Sequence, residues 1–490
     1  MIRATALHFQ YPPRHTHEPP IQVLNGLDLA LEPEESMVIM GPTGAGKSTL
    51  AYVLAGLAPR YTGGTLSGSL QVARQDLVRS PPEPGTIGIL FQDAATQLFN
   101  TSVEDEIAWG LEALGWQAER ITGAVEKALN RFGLRTLRHR PPWALSVGQQ
   151  KRLALAAVWA MQPTVLILDE PFSGLDPQGR QEVDAAMTSL QSGGTTTVIM
   201  SSRPQVAQRV QRGELLLDGV LSHPFTGETI HQHLDRLIEA GVCLPTSQWP
   251  DLSLQHPWCS DPPAVEIQGL HFGYEREEVL RGITLQIPSG QFIAIVGQNG
   301  AGKSTLARHL NGLLRPQRGK IYILGRSTHD RATGEIARDV GFLFQRPERQ
   351  LFAPTVYEEV AYGVRQLALP DAEARVQDAL EAFGLKEVAD LPPALLGWGL
   401  QRSVTLASLA ALETPIVVLD EPTVGLDGRG MAQLLDWLSR LRREGRTIIL
   451  ITHELPLAAR ADRAIVLAQG QIIADGPPSQ TLPRLWEEGA

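Results

Sequence analysis

Two glycine-rich stretches carry residues suited to holding phosphate. Gly41-Pro42-Thr43-Gly44-Ala45-Gly46-Lys47-Ser48-Thr49 and Gly297-Gln298-Asn299-Gly300-Ala301-Gly302-Lys303-Ser304-Thr305 share one spacing. Each follows an apolar, strand-like run and precedes a run with helical periodicity, the context that a phosphate-binding loop requires. Glycines let backbone N–H groups close on an anion at a helix N-terminus, where the helix dipole favours negative charge. In this pattern the lysine reaches the β- and γ-phosphates and the serine hydroxyl, Ser48 or Ser304, ligates Mg²⁺.

Each loop has a downstream partner, an apolar run ending in Asp-Glu: Asp169-Glu170 and Asp420-Glu421. Such an aspartate can hold Mg²⁺, and the glutamate can act as general base toward an attacking water. Lys47 precedes Asp169 by 122 residues and Lys303 precedes Asp420 by 117. "LHFQY" recurs as "LHFGY", and "GILFQDAATQLFN" as "GFLFQRPERQLFA", in the same order. One module is therefore written twice. A repeat of about half the chain is a duplicated domain and not a solenoid of short units. The boundary lies in a proline-rich stretch without periodicity. This gives a first domain at 1–225, a short helical tail and linker at 226–263, and a second domain at 264–490.

Hydrophobic residues make up 43% of the 490 and charged residues 20%, a balance typical of a folded soluble protein. No run reaches the roughly 18–20 apolar residues that span a bilayer, and the N-terminus lacks the apolar core of a signal peptide. A formal net charge of −10 argues against a dedicated nucleic-acid binder. Cys243 and Cys259 form no Cys-x-x-Cys pair, so a reducing compartment is expected. Arg14–Pro20, with His15 and His17, reads as a loop insertion. His231 and His233 would diverge on a helix and read as surface residues, and "HPWC" (His256–Cys259) reads as linker packing.

The stretch Leu145-Ser146-Val147-Gly148-Gln149 narrows the reading. With the paired loops, the two Leu-Asp-Glu-Pro runs and the Gly-Leu-Asp runs ending at Asp176 and Asp427, it makes the chain resemble the nucleotide-binding domains of ABC ATPases. The resemblance covers nearly the whole chain outside the linker. It implies α/β architecture: two tandem domains, each with a RecA-like core, an antiparallel β subdomain and a helical subdomain bearing the signature. It also implies that ATP and Mg²⁺ are bound and ATP hydrolysed. Tyr11 and Tyr274 match the aromatics that stack on adenine. Gln92 and Gln345 match the glutamine that senses Mg²⁺ and the γ-phosphate, and His453 matches the histidine that contacts the γ-phosphate. In that family two domains pair head to tail, each nucleotide lying between one phosphate loop and the other domain's signature. Ser146, Gly148 and Gln149 would then complete the cage around phosphate on the second domain's loop.

Two departures fall on one composite site in that arrangement. Ser202 stands where His453 stands in the second half. Ala394–Arg402, "ALLGWGLQR", replaces "ALSVGQQKR". Aligned without a gap, Leu396 replaces Ser146 and Trp398 puts an indole where bare backbone should approach phosphate. Sliding by one residue recovers a glycine at Gly399, but no register restores both serine and glutamine. Glu170's site, with Ser202 and the altered signature, is expected to be slow or merely nucleotide-holding. Glu421's site, with Gln345, His453 and the intact signature, is expected to turn over.

"QRPERQLF" (Gln345–Phe352) is similar to the "NPxxQLF" element of energy-coupling-factor (ECF) importer ATPases, with Arg346 in place of asparagine; the first half keeps Gln97-Leu98-Phe99. This resemblance implies peripheral attachment on the cytoplasmic side of the membrane. The partners would be transmembrane subunits, a scaffold protein and a substrate-binding component. Leu98, Phe99, Leu351 and Phe352 would be apolar contacts to them, and Glu348 a polar one. The alternatives are a tandem ATPase of a monosaccharide importer and a soluble ABC protein acting on ribosomes or DNA. No basic linker, cysteine cluster or coiled-coil insertion favours the soluble class.

Overall fold

The computed structural model describes residues 1–13, 19–175, 177–191, 194–252, 261–274, 277–347 and 350–485. The chain divides into two compact units, Met1–Cys243 and Leu244–Ala490. Both use one topology. In the first unit the central sheet runs Ile87–Leu90, Val165–Asp169, Thr196–Ser201, Ser36–Met40, Arg212–Leu217, Val220–Phe225. In the second it runs Val340–Leu343, Ile416–Asp420, Thr447–Ile451, Phe292–Val296, Arg463–Ala468, Gln471–Gly476. The first five strands of each sheet are parallel and the sixth is antiparallel.

The three central strands of each sheet are buried along their whole length. This is why they read as unbroken apolar runs, since a parallel sheet covered on both faces gains nothing from alternation. Successive residues feed two different cores. In the second unit Phe292, Ala294 and Val296 pack under the helices, while Ile293 and Ile295 pack toward the antiparallel sheet. That second layer comprises Ile21–Leu31, Ile2–Tyr11, Thr65–Val72 and Gln75–Asp76 in the first unit. Its counterpart comprises Glu277–Ile287, Val265–Tyr274, Arg318–Ile323 and Arg326–Ser327. These strands alternate buried and exposed positions, with bulges. Half-buried strands pack only one face.

The helical layer holds Val103–Ala113, Ala118–Arg131 and Val147–Ala160, repeated as Val356–Gln366, Ala372–Ala382 and Trp398–Leu412. Ser102 and Thr355 cap the first helix of each set by accepting the N–H of Asp105 and Glu358. Among the described residues no helix is long and apolar enough to cross a membrane.

The segment after the first domain's last strand divides between the units. A 3₁₀ turn, Ile230–His233, leads into the helix Leu234–Glu239, and Ile230, Leu237 and Val242 join the first unit's core. His231 is exposed and the His233 ring tilts against Phe225. Farther on, Leu244, Trp249 and Leu252 pack on the second unit's core. Arg442, buried, ties this stretch down. It donates to Leu252 O (3.0 Å), Gly290 O (3.0 Å) and Asp462 Oδ1 (2.8 Å). Asp462 Oδ2 in turn accepts the N–H of Phe292, the first residue of the strand entering the phosphate loop. Removing one partner of a buried pair leaves the other charge uncompensated. Arg442→Ala should therefore destabilise the second unit by about 3–5 kcal/mol in denaturant unfolding. A change below about 1 kcal/mol would remove this cluster from the account.

Candidate functional site

The phosphate loops leave the central strands Ser36–Met40 and Phe292–Val296 and enter the helices Lys47–Leu54 and Lys303–Leu310. Gly46 and Gly302 occupy the turn before each helix with φ of 95° and 99°, a conformation that disfavours any residue with a Cβ. A Cβ on Gly46 would also stand 2.7 Å from Val23 Cγ1. Each lysine folds back over its own loop. Lys47 Nζ donates to Gly41 O (2.7 Å) and Pro42 O (3.0 Å); Lys303 Nζ donates to Gly297 O (2.7 Å) and Gln298 O (2.9 Å). The ammonium is thus held at the loop by its own carbonyls, where an anion entering the loop would meet it.

Ser48 faces the Asp169 carboxyl and Ser304 the Asp420 carboxyl, which sets each loop beside the end of the neighbouring strand. Burial raises both carboxyls above their usual range, Asp169 to about 6, and the facing serine hydroxyls oppose the rise. Asp169 Oδ1 is buried without a hydrogen-bond partner. A hydroxyl and a carboxylate of this kind form a hard oxygen set that suits Mg²⁺. Ser48 with Asp169, and Ser304 with Asp420, would hold it. When bound, the ion would neutralise charge on phosphate oxygens.

Glu170 and Glu421 follow in left-handed backbone, φ 44° and 50°. Non-glycine residues hold that conformation only where the surroundings enforce it, which is common at functional sites. Their N–H groups bond Met200 O and Ile451 O on the adjacent strand. Their side chains meet different partners. Glu170 Oε1 accepts the Ser202 N–H at 2.7 Å and Oε2 the Ser201 hydroxyl at 3.4 Å. Glu421 Oε2 accepts the His453 N–H (3.3 Å), and His453 Nε2 stands 3.3 Å from Glu421 Oε1 and 3.2 Å from Asn299 Oδ1. Ser202 and His453 therefore occupy equivalent places, but only the histidine bridges the glutamate to the phosphate loop. Full burial and the adjacent Asp420 push the Glu421 carboxyl up to about 8.

Ser146 and Gln149 are held together before any ligand arrives. Ser146 Oγ accepts the Gln149 N–H (3.3 Å) and Gln149 Oε1 accepts the Ser146 N–H (3.1 Å), a capping box that starts the helix Val147–Ala160. Gly148 packs close to Gly179, to whose Cα an added Cβ would stand at 3.3 Å. The second copy corrects the ungapped alignment. Gly397 is the N-cap of Trp398–Leu412 and has no side-chain cap. Gln150 Nε2 bonds Pro142 O, and Gln401 Nε2 bonds Pro393 O. The proline pair sets the register, so Gly397 replaces Ser146, Gly399 replaces Gly148 and Leu400 replaces Gln149. Trp398 stands at Val147's place, not at the glycine's, and its ring lies over Gly425. The serine and glutamine are lost, and the glycine is kept.

Gln92 and Gln345, both partly buried, follow the strands Ile87–Leu90 and Val340–Leu343. The glutamine of each Gln-Leu-Phe element clamps this turn. Gln97 accepts the Phe91 N–H (2.8 Å) and donates to Ile89 O (2.9 Å); Gln350 does the same with Phe344 and Phe342, at 3.4 Å each. Glu106 and Glu359, buried acids, accept the N–H groups of Phe99 and Asn100, and of Phe352 and Ala353. Glu106 and Glu359 belong to no motif that marks them in the sequence, although each recurs at its matched position. Phe99 stays exposed edge-on to Trp109 (4.8 Å), and Phe352 to Tyr362 (4.7 Å). Leu98 and Leu351 pack against the cores.

Tyr11 Oη lies 3.3 Å from Thr49 Oγ1 and its ring stands edge-on to Phe9. Tyr274, half-exposed, stands edge-on to Phe272. Asp427 caps the helix Gly428–Arg443. Asp176, Glu348, the segment 14–18 and "HPWC" lie outside the described residues.

The Glu421 carboxyl has a folded-state pKa above its unfolded one, so its protonated form favours the fold. That contribution is complete below the ordinary carboxylate range and is lost as pH rises through about 8. Nucleotide-free protein should melt at progressively lower temperature from pH 6 to 8.5, and Glu421→Gln should flatten that decline. An equally steep decline in both proteins would place its cause elsewhere.

The profile of the ABC transporter family matches residues 24–173 and 280–424, once in each unit. A Methanosarcina mazei protein provisionally named an ABC transporter ATP-binding protein is 32% identical, over 98% of this chain and 89% of its own. A similarly named protein of Caldanaerobacter subterraneus subsp. tengcongensis is 32% identical, over 94% and 89%. YkoD of Bacillus subtilis, provisionally named an HMP/thiamine import ATP-binding protein, is 31% identical, over 95% and 93%. Two phosphate loops, each with its serine beside the aspartate of an Asp-Glu strand end, agree with these matches, and the chain belongs to the ATP-binding proteins of ABC transporters, with two ATPase domains in tandem whose ATP hydrolysis is coupled to transport.

Proposed function

We propose that this chain powers an ECF-type importer, taking up a vitamin, a vitamin precursor or a metal ion. The observation that carries the reading is the exposed aromatic pair beside each Gln-Leu-Phe element, Phe99 with Trp109 and Phe352 with Tyr362. Exposed aromatic edges on an internally braced loop suit burial against a partner, because little order has to be gained on binding. The partners would be an ECF-like membrane scaffold and a substrate-binding membrane component, with the chain attached peripherally at the cytoplasmic face. The name of YkoD points to HMP or thiamine as the first substrates to try. Co-purification with membrane subunits, followed by identification of the bound small molecule, tests this. An ECF-like scaffold supports the reading; a sugar permease would favour a monosaccharide importer, and recovery with ribosomes would overturn transport altogether.

We further propose that the domains pair head to tail and form unequal sites. One combines Lys303, Ser304, Gln345, Asp420, Glu421 and His453 with Ser146, Gly148 and Gln149. The other combines Lys47, Ser48, Gln92, Asp169, Glu170 and Ser202 with Gly397, Gly399 and Leu400. ATP and Mg²⁺ bind at both in this reading, with Tyr274 and Tyr11 against adenine. At the first site Glu421, in its carboxylate form, takes the proton from water, His453 holds it toward the γ-phosphate, and the signature donors oppose developing charge. Loss of a preorganised donor costs on the order of 10²–10³ in rate, and the second site lacks several. Glu421→Gln should lower steady-state turnover by about 10²-fold or more, whereas Glu170→Gln should leave most of it. Comparable losses in the two variants would sink the asymmetry.

A further inference from the structure

The fifth residue of each signature helix is a buried cation, and the two cations grip different parts of their units. Lys151 Nζ donates to Glu170 O (3.0 Å) and Ser173 O (2.8 Å), the turn after the Asp-Glu strand end. Arg402, wholly buried, also lowers the Asp420 carboxyl by its charge and reaches the segment that carries Gln345. Its Nη1 donates to Phe344 O at 2.7 Å and its Nη2 to Gln345 O. A planar guanidinium can span two successive carbonyls in a fixed geometry, which an ammonium cannot reproduce.

The remaining support of that turn differs in the opposite sense. Gln97 holds the first unit's turn with bonds of 2.8 and 2.9 Å, whereas both bonds of Gln350 stretch to 3.4 Å. The second unit thus has the weaker glutamine clamp and gains two charge-assisted bonds from Arg402, each stronger than a neutral one. The helix that supplies Arg402 is the one that lacks the signature serine and glutamine.

We propose that Arg402 is a positioning residue for ATP hydrolysis on the second domain's loop: by gripping Phe344 O and Gln345 O it fixes the backbone from which the Gln345 amide acts. This rests on the reading of Gln345 as the residue that meets Mg²⁺ and the γ-phosphate. The altered signature helix thereby keeps a task within its own unit. In the proposed pairing the side chains it lacks would face nucleotide, while the arginine that replaces Lys151 braces the Gln345 turn.

The test is a double-mutant cycle on the full chain with Arg402→Lys, Arg402→Gln, Gln345→Ala and the paired variants, read as kcat and as the Mg²⁺ concentration for half-maximal ATPase. Arg402→Lys keeps the buried charge, so it carries the test if Arg402→Gln does not fold. Small displacements of catalytic groups cost large factors in rate. Arg402→Lys should lower kcat by about 10-fold and raise the Mg²⁺ requirement, with the KM for ATP little changed. In the Gln345→Ala background it should have no further effect, because residues acting as one unit are not additive. Independent, multiplying losses, or a shift in melting temperature with kcat and Mg²⁺ dependence unmoved, would overturn the proposal. Glu421→Gln separates the two levels. If it leaves turnover intact, the reading of the site fails; if it abolishes turnover while the cycle is additive, only the role of Arg402 fails.

Discussion

Two adjacent carboxylates at the buried end of an apolar strand are the constraint around which each unit is arranged. Desolvation disfavours the charge of Asp169, Asp420 and Glu421, and donors and cations gather around these strand ends. In the first unit Glu170 is met by the Ser202 N–H and the Ser201 hydroxyl, and Lys151 lies beneath the same turn, its own ammonium lowered to about 8 by burial. In the second unit Lys303 and the His453 N–H oppose the burial of Glu421 without overcoming it. The strand must be apolar to fill the sheet on both faces, and its end must be polar to do chemistry. The left-handed turn at Glu170 and Glu421 marks where these two demands meet.

Much of this was legible in the sequence because repetition made it so. The phosphate loops, the Asp-Glu strand ends and the equivalence of Ser202 with His453 all follow from aligning the halves, and the hydrogen bonds to Glu170 and Glu421 give the same pairing. The signature register was not legible. Both stretches end in arginine, which favoured an alignment without a gap, but the helix start is set by the preceding prolines. The helix N-caps Ser146 and Gly397, and Gln150 and Gln401, each reaching back to a proline carbonyl, fix it. Arg402 consequently matches Lys151 and not Arg152. Side-chain-to-backbone bonds across a turn leave no periodic trace, which is why the clamps of Gln97 and Gln350 were equally hidden.

The capping box has a second consequence. In the first unit Ser146 and Gln149 satisfy each other's N–H groups and start the signature helix, so these side chains are ordered before any phosphate approaches. If they meet phosphate as proposed, such order suits them to the task, since preorganised donors need no rearrangement as charge develops. The same residue types that a nucleotide would use are those that helix initiation favours. A sequence can therefore keep them for either reason, and their joint loss at Gly397 and Leu400 removes both. The second helix starts without a side-chain cap, and packing along Trp398–Leu412 sustains it instead.

That compensation explains how the altered helix persists. Leu406, Ala407 and Leu409 sit in the second unit's core, so the helix is held by burial whether or not its first turn is capped. What such burial cannot supply is a defined position for a loop of polar backbone at the end of a sheet. Buried carbonyls need partners, and Arg402 gives them to Phe344 and Gln345 from a helix that packing already fixes. A rigid helix anchored by apolar contacts can thus lack the cap at its first turn and still hold a buried arginine against backbone carbonyls at its fifth residue.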